Sequence, residues 1–237
     1  MKLFSFHLAS PGMGKTLACL LRPPRPETTQ GLCHIEVVVP MTLGSRVTAP
    51  SRYHPRQVAA FAAWENEAAL DDFLSRNACG MALAHGWHVR MEFVRTWGRL
   101  QGLDGLPETA TELDDDAPVV SVTLARLRVW EAARFIRWGK PVERQVRDDP
   151  AATIALAAIR PFRTLSTFSI WRTQRDLMRM VHGRPGDEGS LRHAKAMQER
   201  NRKDFHHEFI TMRFRPLSEH GMWEGRKLLP TSSATSR

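Results

Sequence analysis

VAAFAAWENEAALDDFL (Val58–Leu74) and LSTFSIWRTQRDLMRMV (Leu165–Val181) repeat one pattern. Phe61 and Trp64 of the first fall on Phe168 and Trp171 of the second. In both, a polar turn follows the tryptophan and leads into an amphipathic helix. A strand-like run then comes after a loop, HVRMEFVRTWG from His88 and HHEFITMRF from His206. Alternating or short continuous apolar runs mark strands, and 3.6-residue periodicity marks helices. The first half is predicted as strand (2–9), helix (about 14–21), strand (34–40), strand (57–65), helix (67–76) and strand (88–96). The second half repeats the order: strand (118–127), helix (130–146), strand (153–159), strand (164–172), helix (174–182, then 193–204) and strand (207–215).

That order is βαββαβ twice. The expected fold is α+β: two tandem ferredoxin-like units whose sheets face each other as a pseudo-dimeric α+β barrel. Residues 1–99 form the first unit, 100–117 an acidic surface linker (TELDDD at 111–116), 118–217 the second unit, and 218–237 a wrapping or frayed tail.

A competing motif sits at the start. Ala9-x-x-x-x-Gly14-Lys15-Thr16 is a permissive match to a nucleotide phosphate loop. Such a loop needs a helix long enough to aim its N-terminus at the phosphates. Pro23 and Pro24 stop this one after about two turns. The repeat also implies antiparallel sheets, and no apolar strand ending in Asp follows to hold magnesium. Gly12–Leu21 reads as the first helix of the first unit, entered through a Pro-Gly turn.

Apolar and charged fractions of 42% and 25% are those of an ordinary globular protein. The longest apolar run, Ala151–Ile159, is far short of the roughly 20 residues that span a membrane. The first residues do not read as a secretion signal. Cys19, Cys33 and Cys79 have no metal-like spacing and suggest reduced thiols in a cytoplasmic protein. The net charge of +9 is uneven. Residues 1–117 carry 11 basic and 13 acidic side chains, and residues 118–237 carry 23 and 12. A basic half suits nucleic acid, an anionic membrane surface or a cofactor's anionic groups, and equally a solvated arginine-rich surface.

No Ser/His/Asp order, carboxylate pair on one helix or clustered metal ligands stands out. Most of the ten histidines lie beside charged residues and read as solvent-facing. His193 differs: it opens the helix HAKAMQERNRKDF, with Met197 one turn on along the same face. A histidine on a helix over an apolar sheet can give Nε2 to a metal such as haem iron while its Nδ1 proton binds a carbonyl or carboxylate. The plain alternative, an exposed histidine at a basic helix start, stays open on spacing alone.

TFSIW (Thr167–Trp171) and RHAKAM (Arg192–Met197), followed by Phe205, Glu208 and MRFR (Met212–Arg215), resemble the spheroidene monooxygenase family, haem proteins of carotenoid biosynthesis. The resemblance extends through PVVSVTLARLR (Pro118–Arg128) and the Trp/Arg-rich helix to Asp149-Pro150. It is thinner at Ala62–Trp64 and WGRLQGLDG (Trp97–Gly105), and faint before about residue 55. Where the family carries a Gly-rich segment, this chain has MTLGSRVTAPSRYHP with Tyr53 and His54, a departure that bears on the substrate.

The resemblance implies a dimeric α+β barrel holding haem b, with His193 as the proximal iron ligand. Arg128 and Arg213 match family positions for a strand arginine that pairs with a propionate or lies over the distal face, Arg128 in a catalytic role. Met197, Phe168 and Trp171 join the cofactor-binding set; the last two, on opposite faces of one strand, are the more naturally core residues. The implied activity is a haem-dependent, monooxygenase-like oxidation of a small hydrophobic, carotenoid-like substrate. Electrons would come from a donor such as ferredoxin. The setting would be the cytoplasm, with contact at the inner face of the membrane, and homodimer formation is left open. Peroxidases and haem lyases or dehydratases use the same scaffold, since fold does not fix function. From another class, two βαββαβ units with a basic half also suit a tandem RNA-recognition protein. Neither third strand carries the Lys/Arg-Gly-aromatic-Gly/Ala-Phe run such modules need, so no nucleic acid is expected.

Overall fold

The predicted strands form, and every pair of them is antiparallel. In the computed structural model, which describes residues 2–183 and 191–230, the elements run β1 (Leu3–Ala9), α1 (Met13–Leu21), β2 (Leu32–Met41), β3 (Val58–Trp64), α2 (Glu67–Arg76), α3 (Ala78–Ala84) and β4 (Trp87–Arg99). They continue β5 (Val119–Leu127), α4 (Ala132–Arg147), β6 (Ala152–Arg160), β7 (Thr164–Trp171), α5 (Gln174–His182), α6 (Arg192–Arg202) and β8 (His206–His220). Eight strands close one barrel in the order β1-β3-β2-β6-β7-β5-β8-β4. Within each half the order is the same: β2-β3-β1-β4, then β6-β7-β5-β8. The seams are β2–β6, from Val39 opposite Ile159, and β4–β8, from His88 opposite His220 to Arg99 opposite Phe209.

Alternation divides each strand between two faces. Phe4, Phe6, Phe61, Phe168 and Phe214 point inward and fill the barrel. Phe6 stacks on Phe168 with centroids 3.7 Å apart, and Phe4 meets Phe214 at 5.0 Å. Each buried ring contributes on the order of 2–3 kcal/mol by area. The repeat-related Phe61 and Phe168 therefore do the same job in both halves. Trp64 and Trp171 also correspond, turning outward beneath helices: each indole N–H donates to a serine hydroxyl, Ser5 at 2.9 Å and Ser169 at 2.8 Å. Closure removes the open sheet face on which an RNA-recognition module stacks bases, so that alternative loses its platform.

Several boundaries differ from expectation. Asn77 caps a separate helix, α3, by accepting from the Cys79 and Gly80 amides. Segment 100–117 is not purely a surface linker, because Leu100 and Leu103 enter the barrel core. β8 runs on to His220, Leu228 is buried in the barrel core, and the amides of Leu228 and Leu229 bind the Glu219 carboxylate. The last part of the expected tail, 231–237, lies outside the described residues. Arg128 stands one residue past β5 rather than on it.

Candidate functional site

The two halves treat their outer sheet faces differently. In the first, Val58, Ala60, Ala62 and Trp64 are sealed against Leu70, Phe73 and Leu83 of the helices. In the second, the positions matching Ala60 and Ala62 are Thr167 and Ser169. With Ser121, Thr123, Thr211 and Arg213 they form a hydroxyl-rich floor. The helices stand off from it over a cavity of about 490 Å³, within the size range of small-molecule and cofactor sites. α4 shows why the space exists. Its apolar side chains recur at Phe135, Trp138, Val142 and Val146, one helical stripe, yet the helix has no fully buried residue because that stripe faces the cavity.

α6 forms the facing wall through His193, Ala196, Met197 and Arg200, spaced i, i+3, i+4, i+7. Its start is anchored twice: the His193 amide donates to Gln145 Oε1 at 3.2 Å, and His193 Nδ1 lies 3.1 Å from the Val181 carbonyl. A carbonyl only accepts, so Nδ1 carries the proton and Nε2 keeps its lone pair. Nε2 has no hydrogen-bond partner among the described residues. Burial pushes the His193 pKa below its ordinary value, against the Val181 bond that raises it, with His182 adding to the fall. The ring is thus kept neutral.

Arg213 is a buried cation in the cavity wall, 6% exposed and with no ion-pair partner among the described residues. Its guanidinium lies 4.6 Å from the Trp97 ring centroid, and Arg95 covers the same ring at 4.2 Å. Burial first, and then the Arg95 charge, pushes its pKa down to about 10. A buried cation without a counter-ion is costly unless a ligand supplies one. Hydroxyls alongside can receive polar ligand atoms: Thr123 Oγ1 and Thr211 Oγ1 are 3.1 Å apart. Glu143, at the far wall, is already committed. Burial alone would raise its pKa, but Arg52 holds the carboxyl below the usual range through bonds of 2.8 and 2.9 Å, helped by the Gly44 amide at 2.9 Å.

The structure gathers only part of the expected set. His193, Met197 and Arg213 line the cavity. Phe168 borders it, but its ring is inside the barrel on Phe6. Trp171 packs with Leu177 and Met180 under α5. Arg128 is not among the cavity-lining residues; its Nε donates to the His206 carbonyl at 3.2 Å, a strand-end tie. The histidines do not all face solvent as most were read to do: His7, His34, His88 and His206 are buried.

His206 was missed outright. It lines the cavity with Nε2 buried and without a partner among the described residues, and Nδ1 lies 3.3 Å from Asp204. Burial outweighs that carboxylate and lowers its pKa to about 4. One readable signal pointed to this site: serine and threonine recur at outward positions of β5, β7 and β8, on a face that helices should cover.

Among the described residues no three His, Cys, Asp or Glu side chains converge on a point. A full protein ligand set is therefore not assembled there, whereas a macrocycle bringing its own four nitrogens needs one protein ligand.

The chain is similar to the spheroidene monooxygenase of Cereibacter sphaeroides. It is 26% identical over 140 residues, covering 58% of this chain and 41% of that one, and this homology matches the resemblance read from the sequence. The matched region thus spans about two fifths of the relative's length. No family model matches. In structure, an aldoxime dehydratase solved in complex with butyraldoxime superposes with a TM-score of 0.53 at 7% identity, over 92% of this chain and 79% of its own. Another aldoxime dehydratase gives 0.51 at 10% identity, over 91% and 81%. At such identities the likeness concerns the fold: a closed eight-strand antiparallel barrel with helices outside.

Proposed function

We propose that this protein is a haem-dependent oxidoreductase of monooxygenase type, acting on an apolar organic substrate, with haem b held between α6 and the outer face of β5, β7 and β8. The observation that carries the reading is His193: a neutral imidazole in the cavity wall, with Nδ1 fixed on a backbone carbonyl and Nε2 without a hydrogen-bond partner among the described residues. That is how proteins prepare an iron-binding histidine. The fit extends to charge, since Arg213 offers a buried cation to a propionate or another anionic group.

Bound haem would supply a redox-active iron able to activate a small oxidant. The chain's own residues do the remaining work. Val181 fixes the tautomer and aim of the His193 ring. The Phe135, Trp138 and Val142 stripe excludes water and shelters an apolar substrate, and Met197 packs beside it. Thr123 and Thr211 receive polar ligand atoms from the floor. The role first assigned to Arg128 passes to Arg213, because of these two only Arg213 lines the cavity. Similarity to spheroidene monooxygenase favours a carotenoid-like substrate. The reaction then calls for an external electron donor such as ferredoxin, which the basic second half suits. The repeated strand order is read as two fused ferredoxin-like units, a pseudo-dimer within one chain.

The test is a spectrum. Protein purified with haem supplied is expected to show a sharp Soret band in oxidised and reduced forms, weakened or shifted in His193→Ala. A wild type that stays colourless, or a variant spectrum identical to wild type, ends the reading.

A further inference from the structure

One end of the barrel carries large apolar side chains that the fold leaves outside. The β6–β7 hairpin turns through Pro161, Phe162 and Arg163. Phe162 is 99% exposed and takes a φ of +58°, strained for a residue with a side chain. Leu165 pairs with Ala125, so the chain leaving β5 at Leu127 emerges beside that hairpin. There it exposes Val129 and, at 77%, Trp130. On the other flank the Arg160 guanidinium donates to the Leu20 carbonyl at 2.9 Å and ties the end of α1 to the same place. Leu17 and Leu21, one turn apart on α1, are exposed too, Leu21 at 72%.

The charges around this rim are one-sided. Lys15, Arg22, Arg25, Arg128, Arg160 and Arg163 belong to these segments, and Glu27 is the one carboxylate within 13–30, 125–130 and 159–164. Nearby carboxylates are already engaged: Glu36 and Glu208 with Arg126, and Glu131 with Arg134 and Lys203. Exposed apolar clusters rimmed by charge mark interaction surfaces. Aromatic and leucine side chains set among arginines match the boundary of a bilayer, where rings sit at headgroup level and guanidinium groups meet phosphates.

We infer that this end of the barrel docks on an anionic phospholipid bilayer, with Phe162, Trp130 and Leu21 entering the headgroup–acyl boundary. The contact inferred is a peripheral one, and no helix among the described residues is long and apolar enough to cross a membrane. The cavity reaches the same end. Leu165, three residues past Phe162, lines it, as does Phe205, whose carbonyl accepts from the Arg128 amide at 2.9 Å. Docking would bring an apolar substrate to the cavity directly from the lipid. The inference goes beyond the haem reading and stands without it, because lipid binding is read with no haem supplied.

The full chain is co-sedimented with phosphatidylcholine vesicles with and without phosphatidylglycerol, at low and high salt. Strong partition onto the phosphatidylglycerol vesicles that weakens with salt is expected. Phe162→Ser combined with Trp130→Ser should cut that partition roughly tenfold with an unchanged melting curve, as both side chains are solvent-exposed. Arg22→Glu with Arg163→Glu, which keeps the apolar residues, should cut it similarly. Equal partition onto neutral and anionic vesicles, or variants that bind like wild type, overturns the inference. So does a concentration-dependent dimer, seen by sedimentation velocity and abolished by the serine variant, without vesicle binding: the face would then join copies of this chain.

Discussion

Replacing Arg213 with Met should stabilise the ligand-free protein while weakening its hold on an anionic ligand. The fall of the Arg213 pKa to about 10, at about 1.4 kcal/mol per pH unit, means that folding costs the charged guanidinium on the order of 3 kcal/mol. Stacking on Trp97 returns about 1 kcal/mol of that. Met has similar volume and needs no counter-ion, so the net gain is on the order of 1–2 kcal/mol, in line with buried charges exchanged for apolar residues. Urea unfolding without haem should show a higher midpoint at unchanged slope. For a chain of this length the melting temperature should rise by about 3–6 °C. With haem or another carboxylate ligand the order reverses: loss of a charge-assisted bond should weaken binding roughly tenfold or more. A ligand-free variant destabilised by more than about 1 kcal/mol would mean that the guanidinium has a structural partner, and the reasoning from an unmatched cation would fail.

Two further outcomes follow from the same physics. His88 and His206 are buried with pKa values lowered to about 4, chiefly by burial. The unfolded chain protonates them near 6.5, so it binds more protons between those values, and stability should fall as pH drops from about 6.5 towards 4 by up to ~3 kcal/mol per histidine; urea midpoints that stay flat across that window would contradict this. Arg52→Met leaves the Glu143 carboxylate without its bidentate partner, 2.8 Å away and largely buried, and should cost about 2–4 kcal/mol, measured by denaturant unfolding; a cost near zero would show that α4 is held by other contacts.

The repeat made most of the fold readable because its marker residues play one physical role each. Phe61 and Phe168 point in, Trp64 and Trp171 point out, and the strand order follows. α2 and α5 fall where their periodicity placed them. Pro216 explains the misjudged end of β8: a proline usually closes a strand, but this one sits opposite Met91 at a register shift where its missing N–H costs no ladder bond. The site was half legible. His193 stood out at the head of its helix and Arg213 came from resemblance, and only the closed structure could show that Arg213 has no counter-ion among the described residues. His206 was hidden because one of the rings against it, Phe135, comes from α4, about seventy residues earlier, while the neighbouring Phe205 and Phe209 alone do not show that helices close over the start of β8. Arg128 was misplaced by one residue, enough to move its side chain from the sheet face to a backbone tie.

The alanines at 60 and 62 and the hydroxyls at 167 and 169 divide labour along the chain. One copy of the repeat bolts its helices down against the sheet, while the other leaves a cavity beneath them. Side chains on the roomy side can therefore be exchanged to suit a different guest without loosening the sealed half. A selection for new substrates would do best to randomise the second copy's outer face and leave the first untouched.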